Sequence, residues 1–193
     1  MKKICVYCAS SPGFEDVYMK AADTTGQYLA ANGYGLVYGG GSIGLMGQVA
    51  DACMKNGGEV IGVIPHFLNT KEVGHKELTQ LITVESMHER KLKMSELADG
   101  FIALPGGFGT LEELAEILTW AQLGLVEKPI GILNVNGYYD HLIALLDHMV
   151  KEGLLKQENR DMLLIDTEIG SLMAQFESYK PIPVKKWLNK DRT

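Results

Sequence analysis

Short apolar runs alternate with helix-length segments along nearly the whole 193-residue chain. The apolar runs are almost continuous instead of alternating in polarity, which is typical of strands that are covered on both faces of a sheet. Because strands that alternate with helices pair in parallel through right-handed crossovers, the pattern predicts a doubly wound α/β fold. The predicted strands are 3–9, 35–38, 59–64, 81–84, 100–104, 129–135 and 163–165. The predicted helices lie near 14–32, 42–56, 86–98, 110–123, 138–152 and 168–178.

The chain is long enough to form one well-packed domain. Hydrophobic residues make up 46% of the sequence, and a chain of this length buries most of its apolar surface on folding. Neither an internal repeat nor a linker interrupts the strand–helix alternation. We therefore predict a single Rossmann-like domain over 1–180, with a mostly parallel sheet and helices on both faces, followed by a C-terminal tail over 181–193.

Charge and patterning disfavour several kinds of partner. Lys and Arg number 18 and Asp and Glu number 24, which gives a formal net charge of −6, whereas nucleic-acid-binding domains usually carry a basic excess. No apolar run reaches membrane-spanning length, and the first one is too short for a signal peptide. The histidines and cysteines lack metal-ligand spacing. We expect a cytoplasmic protein with no polynucleotide or membrane partner, no metal and no other cofactor.

A glycine-rich turn follows the fifth predicted strand. The apolar run 101–104 stops at Pro105, and three of the next four residues are glycine before a helix is predicted to begin at Thr110. Glycine lets backbone N–H groups approach an anion closely, and a helix N-terminus adds roughly half a positive charge. Glu112 and Glu113 would lie in the first helical turn. The pattern predicts a phosphate beside an acid side chain, with the phosphate bound by Gly107, Phe108, Gly109 and Thr110.

A second glycine cluster, with the spacing Gly39-x-Gly41-x-x-Gly44, follows the second predicted strand. A dinucleotide fingerprint has this spacing, but it follows the first strand, and the acid that binds ribose ends the next strand. Here Glu59 begins that strand, so a mononucleotide or sugar-phosphate loop is favoured over NAD or FAD. Glycines that only permit tight turns are the alternative. Ser10, at the end of the first strand, and Gly41 are expected to line the same ligand site.

A capping box predicts that another helix starts at Ser86. Arg90 would share the apolar face of this helix with Met87 and point inward near the positive end of the helix dipole. An inward cation at that end is explained if an anion lies nearby. The alternative is a salt bridge, for example to Glu85 or Glu113.

Glu113 also has two interpretations. Thr110 and Glu113 have the spacing of a capping box, and position alone does not separate a cap from a catalyst. The preceding glycine turn, together with Arg90 as an expected neighbour, favours a functional role. A helix N-terminus would favour the ionised form of this carboxyl group.

The segments 87–91 (Met-His-Glu-Arg-Lys) and 105–113 (Pro-Gly-Gly-Phe-Gly-Thr-Leu-Glu-Glu) together resemble the Lonely Guy (LOG) family. These are cytokinin riboside 5′-monophosphate phosphoribohydrolases, often mislabelled as possible lysine decarboxylases. The resemblance covers nearly the whole chain and includes 37–41, 44–47, 119–124 and 133–139. It implies hydrolysis of the N-glycosidic bond of a nucleoside 5′-monophosphate, giving free base and ribose 5-phosphate, by a homodimer. No lysine lies in a context that would hold pyridoxal phosphate for a decarboxylase.

The resemblance also implies roles for individual residues. Arg90 and Glu113 match the essential arginine and glutamate of the two motifs, and Glu72 resembles an upstream acid that contacts substrate. Met87 and Lys91 are carried over as substrate-binding residues. A carboxylate at the position of Glu113 would stabilise positive charge at the anomeric carbon. Two alternatives stay open: a non-catalytic carrier of a nucleotide or molybdenum cofactor, and a structural oligomer. The choice between AMP and an N6-prenylated base is also open.

Overall fold

The computed structural model describes residues 2–69, 75 and 78–182. Within them, the strands are β1 (Lys3–Tyr7), β2 (Gly35–Tyr38), β3 (Val60–Pro65), β4 (Gln80–Val84), β5 (Gly100–Ala103), β6 (Ile130–Leu133) and β7 (Leu163–Asp166). The helices are α1 (Asp16–Ala31), α2 (Gly44–Lys55), α3 (His66–Asn69), α4 (Met87–Leu97), α5 (Phe108–Gln122), α6 (Asp140–Lys151), α7 (Gln157–Arg160) and α8 (Ile169–Ser178), with a 3-10 turn at Val135–Gly137.

The strands form one parallel sheet in the order β4-β3-β2-β1-β5-β6-β7. Val6 in β1 pairs with Tyr38 of β2 on one side and with Ile102 of β5 on the other. The direction of winding therefore reverses between β1 and β5, and the crossovers diverge there. In doubly wound sheets, ligands bind beyond the carboxyl ends of the strands at this point. The prediction of a doubly wound α/β sheet is confirmed.

Helices cover both faces of the sheet because successive strand residues point to opposite sides. One core cluster joins the strands to α1, α2 and α8, and the other joins them to α4, α5 and α6. In β1, Ile4 and Val6 belong to the first cluster, and Cys5 and Tyr7 belong to the second. Burial on both faces explains why the strand sequences are almost wholly apolar.

All of the predicted strands and helices are present, with no end shifted by more than two residues. The sequence prediction missed α3 and α7, which have four residues each, too few to show a helical period. Of the tail predicted over 181–193, only 181 and 182 lie within the described residues, so the domain boundary stays a prediction. Among the described residues, no helix combines the length and apolar character that crossing a bilayer requires.

Candidate active site

The loops that follow β1, β2 and β5 meet at the carboxyl edge of the sheet. The N–H group of Ala9 donates to the carbonyl of Pro105 over 3.2 Å, and the carbonyl of Ala9 accepts from Met46 over 3.2 Å. Gly44 has a φ of +60°, and a Cβ added there would lie 2.3 Å from the carbonyl carbon of Ser10. Glycine is therefore required at this contact. The structure brings both predicted glycine loops and Ser10 together.

The helix after the three-glycine turn begins at Phe108, so the predicted start at Thr110 is wrong. Gly107 is the N-cap, with an extended backbone and no side chain to cap the helix. The Thr110 side chain is buried against Gly106, where an added Cβ would lie 2.1 Å from its hydroxyl oxygen. The capping box of Thr110 and Glu113 therefore does not form, and Glu113 lies in the second helical turn instead of the first.

The first turn of α5 is open at its N-terminal end. A Cβ added to Gly107 or Gly109 would meet no described atom within 4 Å, and Phe108 is 93% exposed. The first N–H groups of a helix have no intrahelical acceptor, and nothing at the N-cap position of α5 supplies a side-chain acceptor. The turn therefore presents backbone donors together with the positive end of the helix dipole.

The start of α4 agrees with its predicted capping box. The side chain of Ser86 accepts a hydrogen bond from the N–H group of Glu89 over 3.1 Å. The Glu89 carboxylate reaches back to the N–H group of Glu85 over 2.8 Å, one residue earlier than the box motif specifies. This cap places Arg90 on the buried face, where it is 8% exposed.

Two backbone carbonyls hold the guanidinium group of Arg90. Its Nε atom donates to the carbonyl of Val63 over 3.1 Å, and its Nη2 atom donates to that of Gly39 over 3.0 Å. A Cβ at Gly39 would lie only 1.9 Å from Nη2. The absence of a side chain at Gly39 therefore makes the position of Arg90 possible. Met87 packs nearby, with its sulfur 3.9 Å from Nη1.

Arg90 and Glu113 face each other across the carboxyl edge of the sheet. The Nη1 atom of Arg90 lies 4.0 Å from the Oε1 atom of Glu113, and the two side chains are 10% and 11% exposed. Of the two salt-bridge alternatives, the structure supports Glu113 as the neighbour, whereas Glu85 lies 3.5 Å from His66. A functional anion site and a salt bridge were the two interpretations of Arg90, and in both of them its neighbour is Glu113.

The environment of Glu113 favours its neutral form more than the sequence suggested. Burial raises the pKa of Glu113 to about 7, and nearby Glu112 also raises it, while Arg90 acts in the opposite direction. The expected effect of the helix N-terminus is outweighed because the carboxyl group is buried in the second turn of α5. A buried carboxyl group with a pKa near neutrality is typical of a group that exchanges protons in catalysis.

The ammonium group of Lys91 is held by α5. It lies 2.5 Å from a carboxylate oxygen of Glu112 and 3.0 Å from one of Glu116, and the side chain is 9% exposed. Although burial lowers the pKa of Lys91, the hydrogen bonds that its ammonium group donates to the two carboxylates outweigh this effect and leave the pKa raised. These contacts join α4 to α5, and the predicted contact of Lys91 with substrate stays a prediction.

Two tyrosines that no sequence motif singled out hold the glycine turn. The hydroxyl of Tyr138 donates to the carbonyl of Gly106 over 2.7 Å, and that of Tyr139 donates to the carbonyl of Leu104 over 2.6 Å. The signal available in the sequence was their position just after β6, because the carboxyl ends of β5 and β6 are neighbours.

Gly41 is a further predicted residue that belongs to a loop at this edge. Gly41 is buried in the loop after β2, and the N–H group of His75 donates to the carbonyl of the preceding Gly40 over 3.4 Å. Glu72 lies outside the described residues, so its contact with substrate stays a prediction. Among the residues that are described, no group of three or more His, Cys, Asp or Glu side chains could hold a metal ion.

The fold and the site define a doubly wound α/β protein with an open helix N-terminus beside a buried arginine–glutamate pair. The family model described as "Possible lysine decarboxylase" matches residues 46–176. The chain belongs to this family, the LOG family that its motifs resemble.

Curated relatives match the chain over most of its length. A cytokinin riboside 5′-monophosphate phosphoribohydrolase of Arabidopsis thaliana is 46% identical over 94% of this chain and 79% of its own. A protein of the same name from Oryza sativa subsp. japonica is 47% identical over 93% of this chain and 74% of its own.

Solved structures share the fold at lower identity. The molybdenum cofactor binding protein of Rippkaea orientalis has a TM-score of 0.69 and 22% identity, covering 92% of this chain and 97% of its own. The molybdenum cofactor carrier protein of Chlamydomonas reinhardtii has a TM-score of 0.68 and 18% identity, covering 92% and 96%. At these identities the likeness shows the fold alone.

Proposed function

We propose that the protein hydrolyses the N-glycosidic bond of adenine-type nucleoside 5′-monophosphates, such as cytokinin riboside 5′-monophosphate or AMP, to free base and ribose 5-phosphate. The observation that carries the proposal is the distance of 4.0 Å between Nη1 of Arg90 and Oε1 of Glu113. This pair lies at the carboxyl edge of the sheet, where the glycine turn leads into α5. The curated relatives named for this activity, at 46% and 47% identity, support it.

The phosphate is assigned to the N-terminus of α5. The backbone N–H groups of Gly107, Phe108, Gly109 and Thr110 lie where a helix leaves donors without partners. Ser10 lies on the adjacent loop and is exposed. A phosphate at this turn leaves the ribose within reach of the Arg90–Glu113 pair, because Glu113 lies on the second turn of the same helix.

Glu113 is assigned to the reacting carbon. Cleavage of a ribosyl–nitrogen bond develops positive charge at the anomeric carbon, and an ionised carboxylate beside that carbon stabilises the charge. The same carboxylate can orient the attacking water and accept its proton. Arg90, fixed by two carbonyls, favours the ionised form of Glu113 and leaves Nη1 directed toward it.

A non-catalytic carrier is the rival function. The solved structures named for molybdenum cofactor binding support the fold of a carrier. A carrier needs the glycine loops, but it has no use for a buried carboxyl group with a pKa near 7. It would bind ligand without releasing any product, and this difference is directly measurable.

The test is incubation of purified protein with AMP and, separately, with N6-isopentenyl-AMP. Chromatography would detect the free base, and a phosphosugar assay would detect ribose 5-phosphate in equal amount. Release of both products supports hydrolysis, and the faster substrate identifies the preferred base. If both nucleotides bind and stay intact, the protein is a carrier and the proposed activity is wrong.

We also propose a homodimer formed through α4 and α5. A half-open groove of about 790 Å³ lies between these helices. Its apolar lining includes Leu92, Trp120, Leu125 and Val126, and Leu92 is 50% exposed. The groove runs along the two helices that carry Arg90 and Glu113, although neither of these residues lines it.

Sedimentation equilibrium of the Leu92→Glu variant tests the dimer. A charge in the apolar groove should shift the protein toward monomers, whereas Leu154→Glu, at a position that is 84% exposed outside the groove, should not. A wild-type monomer, or a Leu92→Glu variant that stays dimeric, would contradict this assignment.

A cytoplasmic location is proposed as well, since Cys5, Cys8 and Cys53 are all unpaired and free thiols are typical of reducing compartments.

A further inference from the structure

Tyr138 contacts the glycine turn from a distant part of the sequence. Its hydroxyl donates a hydrogen bond of 2.7 Å to the carbonyl of Gly106, which lies 32 positions earlier. We propose that Tyr138 is a positioning residue, which orients the peptide between Gly106 and Gly107 so that its N–H group faces the phosphate of the substrate. This inference rests on the proposed function, because it assigns a support to the same phosphate site.

The geometry of the peptide bond carries the first step. In a trans peptide, the carbonyl of one residue and the N–H group of the next point to opposite sides of the chain. Because the Gly106 carbonyl is directed at Tyr138, the N–H group of Gly107 is directed away from it. Gly107 lies where even an added Cβ would meet no described atom within 4 Å, so a phosphate has room to approach.

The turn needs external support because glycine has the most backbone freedom of any residue. The carbonyls of residues 104, 105 and 107 accept hydrogen bonds from Tyr139 Oη, Ala9 N and Leu111 N. Among the carbonyls of residues 104–107, this leaves that of Gly106, which accepts its hydrogen bond from the hydroxyl of Tyr138. Without that hydroxyl, the peptide after Gly106 could rotate, and the N–H group of Gly107 would lose its fixed direction.

Neighbouring rings hold the side chain of Tyr138 independently of its hydroxyl. It packs edge-on against Tyr18, with ring centroids 5.8 Å apart, and against Tyr139, with centroids 5.1 Å apart. Such aromatic pairs hold a side chain in one orientation. Substitution of Tyr138 by Phe should therefore retain the ring packing and remove only the donor to Gly106.

The experiment compares Tyr138→Phe with Tyr34→Phe. Tyr34 also donates its hydroxyl, to Glu177 over 3.0 Å, but it precedes β2 and lies at the opposite edge of the sheet. In Tyr138→Phe, the KM for AMP and the Kd for inorganic phosphate should rise by the same factor, roughly three- to tenfold for one lost hydrogen bond. The kcat, the Kd for adenine and the Tm should match those of Tyr34→Phe.

The readouts separate positioning from a structural role. Unchanged phosphate affinity in Tyr138→Phe would overturn the proposal, and so would an equal loss of adenine affinity accompanied by a lower Tm. If the wild type binds no phosphate, the proposal is also wrong. If the wild type binds phosphate but cleaves no nucleotide, the proposed function fails, and the phosphate titration of Tyr138→Phe still decides the role of Tyr138.

Discussion

The Nη1 atom of Arg90 and the Oε1 atom of Glu113 lie 4.0 Å apart, at the outer limit of an ion pair. Arg90 makes its closer hydrogen bonds to the carbonyls of Val63 and Gly39. The guanidinium is therefore held in place by backbone carbonyls, and its position does not depend on a close contact with Glu113. This arrangement leaves the carboxyl group available for a reacting molecule.

The pH dependence of turnover follows from the pKa of Glu113. Because burial raises this pKa to about 7 and the ionised form is the one that stabilises positive charge, kcat should rise with pH through about 7. Well below that value it should fall about tenfold per pH unit. A pH–rate profile measures this.

The pH–rate profile of the Glu112→Gln variant tests whether Glu113 is the titrating group. Glu112 raises the pKa of Glu113, so removing its charge should move the midpoint to lower pH. A flat wild-type profile between pH 5 and pH 8, or a midpoint that does not respond to the Glu112 substitution, would remove Glu113 as the titrating group.

Glu113 should reduce the stability of the protein at alkaline pH. Its folded pKa of about 7 exceeds the ordinary value of 4.5, so the folded state binds the extra proton between these values. Its contribution to stability is fully present below about pH 4.5 and is lost as pH rises through about 7. At pH 8, Glu113→Gln should raise the free energy of unfolding by an amount on the order of 2 kcal/mol.

Urea unfolding at pH 5 and pH 8 would measure this difference. The gain should be present at pH 8 and small at pH 5. The exposed Glu112 raises the pKa of Glu113 only in part, and Glu112→Gln also loses the pair with Lys91, so its gain at pH 8 should be much smaller than that of Glu113→Gln. Equal effects of the Glu113 substitution at both pH values would contradict a raised pKa.

Gly39 should be as sensitive as Arg90 itself. A Cβ at Gly39 would lie 1.9 Å from Nη2 of Arg90, so Gly39→Ala must displace the guanidinium. We expect kcat/KM to fall by about 100-fold or more, as for loss of a fixed charge-stabilising group. Gly170→Ala is the matched control, because a Cβ there would make only an ordinary contact at 3.5 Å. Wild-type activity in Gly39→Ala would show that the observed position of Arg90 is not needed.

Lys91 should matter more for stability than for chemistry. Its ammonium group joins Glu112 and Glu116, and its removal leaves two carboxylates beside Glu113. Lys91→Met should lower the free energy of unfolding by about 1–3 kcal/mol, with a smaller relative loss of kcat than in Glu113→Gln. Chemical denaturation and steady-state kinetics on one preparation would test this. A large loss of kcat with unchanged stability would favour direct contact with substrate.

The sequence predicted the sheet well because its strands are buried on both faces and read as continuous apolar runs. It also predicted that Arg90 and Glu113 converge. Their helices, α4 and α5, pack on the same face of the sheet, although the strands that precede them, β4 and β5, are not neighbours. The start of α5 was misplaced because Gly107 caps the helix without any side-chain signal. The contact of Tyr138 with Gly106 and the raised pKa of Glu113 depend on tertiary burial, which residue spacing does not reveal.

The most direct test of the account is the rate of base release by wild type and Glu113→Gln, measured with saturating AMP or N6-isopentenyl-AMP. The substitution keeps the size of the side chain and removes its charge, so nucleotide binding by calorimetry should stay close to wild type. The account predicts a loss of kcat of about 100-fold or more. A Glu113→Gln variant that binds nucleotide and releases base at the wild-type rate would contradict it.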